Sequence, residues 1–141
     1  MAVVAVEVWE TLTHTTIVEK KLLPDSGGPG RWRGGLGQEV TLRNDTGNIL
    51  VSLGMGNRTV HPARGLFGGG DGSLRHHQVD GATVHAKGRI EIPPGATMRV
   101  VEAGGAGYGD PKARDRDAVA ADVANGFVTA EAADSIYGWK P

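Results

Sequence analysis

Three short glycine-rich segments constrain the fold of this chain more than any other feature of its sequence. They span residues 23–37, 65–72 and 102–111, hold six, five and four of the 23 glycines, and are called here the first, second and third glycine segments. Glycine at this density excludes a regular helix or strand. It indicates backbone that a side chain would forbid, either at positive φ or in close contact with another backbone segment. The glycines expected to have this structural role are Gly27, Gly28, Gly30, Gly34, Gly35, Gly68, Gly69, Gly104, Gly105 and Gly107.

Three physical interpretations of these segments are open. Backbone N–H groups of a glycine-rich loop can cradle a phosphate, but the sequence has neither a P-loop nor a Gly-x-Gly-x-x-Gly run leading into a helix. Extended polyproline II segments can pack side by side with glycine facing inward, without the strict Gly-X-Y repeat of collagen. Ordinary tight turns are the third interpretation. Because Trp32, Phe67 and Tyr108 are interleaved with the glycines, we favour packed polyproline II-like segments.

The composition is that of a single domain without disulfides. A chain of 141 residues has the size of one domain, which we assign to residues 1–141. The net charge of −1 gives no electrostatic reason to expect nucleic acid or an anionic membrane as a partner. The absence of cysteine excludes a disulfide framework and a thiolate zinc site. The longest apolar run, residues 2–6, is too short to span a bilayer, and we expect a cytoplasmic protein.

Alternating and β-branched residues predict a mainly β fold, with antiparallel sheets arranged like a barrel or a sandwich. The third and fourth predicted strands flank a turn at residues 45–48, and the fifth and sixth flank Lys87-Gly88, so each pair is predicted to form a hairpin. The predicted strands are Val3–Trp9, Thr15–Leu23, residues 38–43, residues 49–55, residues 83–86, residues 89–92 and residues 97–102.

Helical signals are confined to the C-terminal end of the chain. Asp115 and Thr129 are good N-caps, whereas Asn125-Gly126 and Gly138 are typical of helix ends. Two short helices are therefore predicted, each of about two to three turns, which is too short to be stable in isolation. We expect both helices to dock on the sheet or on a partner.

Polar and aromatic side chains of the first and third glycine segments are candidate contacts for an anion or for another subunit. Arg31 and Arg33 flank Trp32, and each guanidinium offers a planar fork that suits a carboxylate or phosphate. We favour the alternative that these arginines cap carbonyls of the glycine segments, or pair with Asp25 and a neighbouring subunit. No residue is assigned a catalytic role, since no Gly-x-Ser-x-Gly elbow surrounds Ser26. The complete set of candidates is Asp25, Ser26, Arg31, Trp32, Arg33, Tyr108 and Asp110.

The histidines allow a second hypothesis, a metal site. One member of the adjacent pair His76-His77, together with His61 or His85 and a nearby carboxylate, would supply ligands that a divalent metal accepts. The two adjacent imidazoles cannot point to the same face of a strand. Ordinary surface histidines explain the same pattern, so both interpretations stay open.

The glycine segments and the residues after them resemble the hydantoinase B family, which is related to 5-oxoprolinase and to the acetone and acetophenone carboxylases. The 14-residue run Pro24-Asp-Ser-Gly-Gly-Pro-Gly-Arg-Trp-Arg-Gly-Gly-Leu-Gly37 carries most of this resemblance. Further matches follow in the family's order, and they cover nearly the whole chain from about Val6. They are Gly65–Gly72, Pro94-Gly95, Gly104–Pro111, Arg114-Asp115, Val119–Val123, Asn125-Gly126 and Tyr137-Gly138.

The resemblance implies a role inside a multi-subunit, ATP-dependent complex. The family's large subunits are several times longer, so we expect a separate small subunit that corresponds to their C-terminal part, most similar to the small subunit of an acetophenone carboxylase. The implied partners are larger hydantoinase A-like and B-like subunits, of which a sugar-kinase-like type uses ATP to activate a ketone and bicarbonate for carbon–carbon bond formation. ATP and a divalent metal would bind elsewhere in the complex, and this chain would complete an interface. The alternatives are a subunit of an ATP-dependent hydantoinase or 5-oxoprolinase, and a free-standing structural or binding β-domain.

Overall fold

The structure is a computed structural model that describes residues 5–140. The fold is mainly β, with antiparallel sheets and short helices, as predicted, and the sheets do not close into a barrel within this range. The elements in chain order are α1 (Val6–Thr13), β1 (Thr15–Leu22), β2 (Gln38–Asn44), β3 (Leu50–Met55), β4 (His76–Val79), β5 (Ala82–Val84), β6 (Lys87–Ile92), β7 (Thr97–Val101), a 3-10 helix (Pro111–Ala113), α2 (Arg116–Ala124) and α3 (Ala130–Tyr137). Between residues 5 and 140 the helices are all too short or too polar to cross a bilayer.

The chain divides into two compact units. The first unit contains the described residues up to 21, residues 39–57 and residues 76–101. The second unit contains residues 22–38, residues 58–75 and the chain from 102 onward, so it holds the three glycine segments and the C-terminal helices.

The first unit is built from two antiparallel sheets. The larger sheet has the strand order β1-β2-β7-β4-β5, and the smaller sheet pairs β3 with β6. Their shared core consists of Ile90 and Ile92 from β6, Met98 from β7, and Ala96 from the turn between these strands. Strand β6 shows the alternation that the sequence indicated, since Ile90 and Ile92 are buried and Glu91 between them is exposed.

Both predicted hairpins are wrong, although the strands themselves are present. β2 pairs with β7 rather than with β3, because the chain leaves the larger sheet at Asn44. The fully buried amide of Asn44 donates hydrogen bonds of 2.8 Å to the carbonyl oxygens of Asn48 and Ile92, which ties the 45–48 turn to the end of β6. β5 likewise pairs with β4 across the tight turn at Asp80-Gly81, and not with β6.

The predicted strand Val3–Trp9 is also wrong where the structure describes it, because residues 6–13 form helix α1. Val3 and Val4 lie outside the described residues. The threonines of this helix are accommodated by backbone hydrogen bonds, since the hydroxyls of Thr11 and Thr13 donate to the carbonyls four residues earlier. The carboxylate of Glu10 also accepts from the Ile17 N–H at 2.7 Å. These side-chain bonds override the β preference of the valines.

The two C-terminal helices begin and end at the predicted residues. The Asp115 side chain accepts from the Ala118 N–H at 2.9 Å, and the Thr129 hydroxyl accepts from the Ala132 N–H at 3.2 Å. Gly138 ends α3 in the left-handed conformation, with φ of 61°. Within the second unit, these helices bury a small core of their own that consists of Val119, Val128, Ala133 and Tyr137.

Candidate functional site

The three glycine segments pack against one another through their backbones. The Gly28 N–H donates to the Gly105 carbonyl at 2.8 Å, which joins the first segment to the third. The Gly70 N–H donates to the Pro29 carbonyl at 2.6 Å, and the Gly107 N–H donates to the Gly70 carbonyl at 2.9 Å. Every pair of segments is therefore hydrogen-bonded, and we call this arrangement the glycine bundle. Whether the segments adopt polyproline II geometry stays a prediction.

Glycine is required in the bundle because the backbones approach too closely for a Cβ atom. At Gly34, for example, a Cβ would lie 2.5 Å from the Gly105 carbonyl carbon and 2.8 Å from the Ala106 carbonyl oxygen, distances that real Cβ atoms essentially never show. Gly35 is the exception among the predicted glycines, since no atom lies within 4 Å of its Cβ position. The predicted glycines with backbone atoms closer than 3.0 Å are Gly27, Gly28, Gly30, Gly34, Gly69, Gly104 and Gly107.

Two further predicted glycines have other environments. Gly105 is tight but less so, with the Gly35 nitrogen 3.1 Å from its Cβ position, and Gly68 has a positive φ of 91°. The same close approach also occurs at Gly37, Gly65 and Gly72, which were not singled out from the sequence. Their positions inside the same three segments were the available signal.

Arg33 joins the glycine bundle to helix α2 of the same unit. Its Nε and Nη2 donate to the two carboxylate oxygens of Asp122 at 2.9 and 3.0 Å, and Nη1 donates to the Gly34 carbonyl at 2.7 Å. Arg114 adds a second guanidinium, with Nη2 2.8 Å from Asp122 Oδ2. We call Arg33, Arg114 and Asp122 the buried ion cluster, because all three side chains are mostly buried.

Burial alone would raise the pKa of Asp122, but the hydrogen bonds and charges of the two arginines outweigh it and hold that pKa below its usual value. The carboxylate of Asp122 thus stays ionised at neutral pH, between two permanent cations. This cluster is an internal clamp, and its guanidiniums are committed to the protein itself. Arg33 caps a carbonyl of the first glycine segment, as expected, but its carboxylate partner is Asp122 and not Asp25.

Asp25 and Ser26 also make internal contacts. The Asp25 carboxylate accepts from the Thr129 N–H at 3.0 Å, at the start of α3. The buried Ser26 hydroxyl donates to the Leu23 carbonyl and accepts from the Gly37 N–H at 2.7 Å, which joins the two ends of the first glycine segment. Both side chains hold backbone in place.

Large apolar side chains lie together on the outside of the glycine bundle. Trp32 and Tyr108 form an antiparallel bridge, and Tyr108 forms a parallel bridge with Leu66. The rings of Phe67 and Tyr108 contact each other, with centroids 5.1 Å apart. We call Trp32, Leu66, Phe67 and Tyr108 the aromatic patch, and all four residues are exposed.

Arg31 and Asp110 border the aromatic patch in sequence but differ in their interactions. The Arg31 guanidinium lies 5.9 Å from the ring centroid of Trp32. It has no carboxylate partner among residues 5–140. The Asp110 carboxylate accepts from the Lys112 N–H at 2.9 Å and caps the 3-10 helix. Of these two residues, Arg31 has a charged group that is available to a partner, whereas the Asp110 carboxylate is engaged.

The four histidines of the metal hypothesis are not assembled into a recognisable site. His76 is exposed and His77 is buried, as expected for neighbours on one strand, and His61 and His85 are exposed. The His85 Nδ1 accepts from the Lys87 N–H at 3.2 Å. Across residues 5–140, no three His, Cys, Asp or Glu side chains come together in a way that would hold a metal ion.

Comparison with known proteins identifies the family. Residues 1–111 match the sequence model of the hydantoinase B/oxoprolinase family. The chain belongs to this family. All three glycine segments and the whole aromatic patch lie in the matched part.

The hydantoinase B-type relatives are much longer chains. Caprolactamase subunit beta of Pseudomonas jessenii is 33% identical over 142 residues, which cover 94% of this chain and 24% of that subunit. The acetone carboxylase alpha subunit of Xanthobacter autotrophicus is 25% identical over 170 residues, covering 94% of this chain and 22% of that subunit. The crystal structure of the ATP-dependent caprolactamase from Pseudomonas jessenii superposes with a TM-score of 0.76 at 28% identity, covering 95% of this chain and 24% of that one. The chain thus spans about a quarter of the length of these relatives.

Proposed function

We propose that this chain is an interface-forming, non-catalytic component of an ATP-dependent complex of the hydantoinase B type, with larger hydantoinase A-like and B-like chains as its partners. The two curated relatives described above are subunits by name, and this fold makes up about a quarter of their length. In this proposal the nucleotide and any divalent metal bind to the larger chains. The complex is located in the cytoplasm.

The observation that carries the proposal is the direction in which the side chains of the glycine bundle point. The candidate residues Asp25, Ser26 and Arg33 are engaged in internal contacts, whereas Trp32 and Tyr108 are exposed side by side. A rigid scaffold that displays aromatic rings is suited to bind a protein surface, since aromatic residues and arginine are enriched at interfaces.

We propose two substrate classes. The first is a ketone, acetone or acetophenone, which the complex would carboxylate with bicarbonate and ATP to give a β-keto acid. The second is a cyclic amide, which the complex would open with ATP, as in a hydantoinase, a 5-oxoprolinase or the named caprolactamase. The higher identity to caprolactamase subunit beta, 33% against 25% for the acetone carboxylase alpha subunit, favours the second class.

Affinity purification of the tagged chain from the organism that encodes it tests the proposal. Mass spectrometry should identify larger hydantoinase A-type and B-type chains in the purified material. The same material should hydrolyse ATP faster when it is given either a ketone with bicarbonate or a cyclic amide such as caprolactam, hydantoin or 5-oxoproline. A chain that is recovered alone, folded and monomeric, would refute the subunit assignment and favour a free-standing β-domain.

A further inference from the structure

We propose that the aromatic patch, together with Arg31, is the docking site for the larger hydantoinase B-type chain of the complex. The docked surface on that chain would be apolar and bordered by a carboxylate that faces the Arg31 guanidinium. This inference rests on the proposed function and deepens it, because it assigns the contact to one named surface.

The aromatic patch exposes three of the few aromatic side chains in this sequence. Trp32 is 64% exposed and Phe67 is 78% exposed. The sequence contains only three Trp, two Tyr and two Phe, and the patch uses one of each. Contiguous exposed apolar groups on a small domain mark a binding surface, and Trp, Tyr and Arg dominate the energetics of such surfaces.

The backbone fixes the patch before any partner binds. Trp32 and Tyr108 exchange two backbone hydrogen bonds, of 3.0 and 2.9 Å, and the Gly109 N–H donates to the Leu66 carbonyl at 2.9 Å. Phe67 is held at a φ of 52°, a conformation that costs free energy for a bulky residue. With this backbone conformation, the exposed Phe67 ring lies against Tyr108. A pre-organised patch of this kind binds with less entropy loss than a flexible one.

Two observations point to a larger chain of the complex as the occupant. First, the Arg31 guanidinium lies beside the Trp32 ring and forms no ion pair within the described part of the chain. A carboxylate on the docked chain would give this guanidinium an ion pair. Second, the relatives that share this fold have about three times as much additional chain, so a hydantoinase B-type chain is long enough to supply the covering surface. We therefore assign the patch to a hydantoinase B-type chain.

A quantitative capture experiment tests this docking site. Extract is prepared from a strain that lacks the gene of this chain, so that no endogenous copy competes, and tagged variants of the full chain are added over a range of concentrations. The double variant Trp32→Ala/Phe67→Asn removes two rings, and asparagine tolerates the positive φ of position 67. The matched control is Leu53→Asn on strand β3, because Leu53 is 77% exposed and so equals Phe67 in exposure.

The expected result is that wild type and Leu53→Asn capture the same identified hydantoinase B-type chain with similar affinity, whereas the double variant binds it at least about 30-fold more weakly. Patch-dependent capture of a hydantoinase A-type chain instead would overturn the assignment. Arg31→Glu, which leaves the rings in place, should weaken capture by about tenfold or more and should reduce its dependence on salt. Circular dichroism confirms that each variant is folded. If the double variant does not fold, Arg31→Glu alone decides the outcome.

The outcomes separate the docking site from the proposed function. If wild type captures the larger chain and folded patch variants capture it equally well, the docking site is refuted and the subunit role stands. If wild type captures no such chain, both fail. If light scattering shows instead that the purified chain forms a dimer that the patch variants abolish, the patch binds a second copy of this chain and the assignment to a larger subunit is overturned.

Discussion

Replacing Gly34 by alanine should destabilise this chain far more than the same change at the adjacent Gly35. At Gly34, the new Cβ would lie 2.5 Å from the carbonyl carbon of Gly105, which is backbone of the third glycine segment. At Gly35, no atom lies within 4 Å of the Cβ position, and the residue is exposed. The two substitutions have the same chemistry and adjacent positions, so their difference isolates the close backbone contact.

The expected loss of unfolding free energy in Gly34→Ala follows from the shift that the backbone at Gly105 must make. Real Cβ atoms keep about 3.0 Å or more from such neighbours, so the backbone at Gly105 must shift by several tenths of an ångström. Overpacking of this kind costs about 1–3 kcal/mol. The Gly105 carbonyl also accepts the Gly28 hydrogen bond, and weakening it adds about 1 kcal/mol. We expect Gly34→Ala to lower the free energy of unfolding by about 2–4 kcal/mol.

Gly35→Ala should have no such cost and should stabilise the chain slightly, by up to about 1 kcal/mol, because alanine restricts the unfolded state. Urea unfolding of each purified variant, followed by far-ultraviolet circular dichroism at 25 °C, measures the difference. If the unfolding free energies of the two variants lie within about 0.5 kcal/mol of each other, the glycine bundle does not depend on backbone contact, and the description of that contact is wrong.

Three further predictions concern charges and caps, and each is checked by urea unfolding. Asp122→Asn leaves two mostly buried guanidiniums without their counter-charge and should lower the free energy of unfolding by about 3 kcal/mol or more. The control is Asp45→Asn, at an exposed position, which should change the unfolding midpoint little. Equal losses of stability in the two variants would contradict a buried cluster. Asp115→Ala removes the cap of α2 and should cost about 1 kcal/mol, more than Asp117→Ala, which removes no cap; a smaller loss than in the control would contradict the cap. Acidification should also destabilise the chain. The hydrogen bonds of Arg99 lower the pKa of Glu39, and the hydrogen bonds and charges of Arg33 and Arg114 lower the pKa of Asp122. The stability that these two carboxylates give at neutral pH should therefore be lost as the pH falls below about 4. A flat unfolding midpoint from pH 7 to pH 3 would contradict this sign.

The C-terminal helix caps, which depend on neighbouring residues, were predictable from the sequence, whereas the strand pairings, which depend on distant contacts, were not. The helix caps at Asp115 and Thr129 involve partners only three residues away, and both predictions are confirmed. The pairing of β2 with β7 depends instead on Asn44, whose amide bonds to Ile92, 48 residues later. A turn signal shows that the chain reverses direction, but it does not show into which sheet the chain goes.

The same limit applied to the candidate site. Arg33 is recognisable as a residue of the first glycine segment, but its partner Asp122 lies 89 residues away, on helix α2. The sequence could suggest that Trp32, Phe67 and Tyr108 act together, because all three lie among glycines. It could not show that they lie on the outside of the bundle, since the direction of each side chain depends on how the three segments pair.

The glycine content and the exposed rings have a common physical cause. Segments that pack backbone against backbone have little interior space for side chains, because a Cβ at positions such as Gly28 or Gly104 would already collide with the neighbouring segment. Any large side chain in these segments must therefore point away from the bundle, as those of Trp32 and Phe67 do. Rigid glycine packing thus fixes the rings in place and at the same time leaves them exposed. A substitution that loosens the bundle, such as Gly34→Ala, should consequently weaken partner binding even though it alters no residue of the aromatic patch.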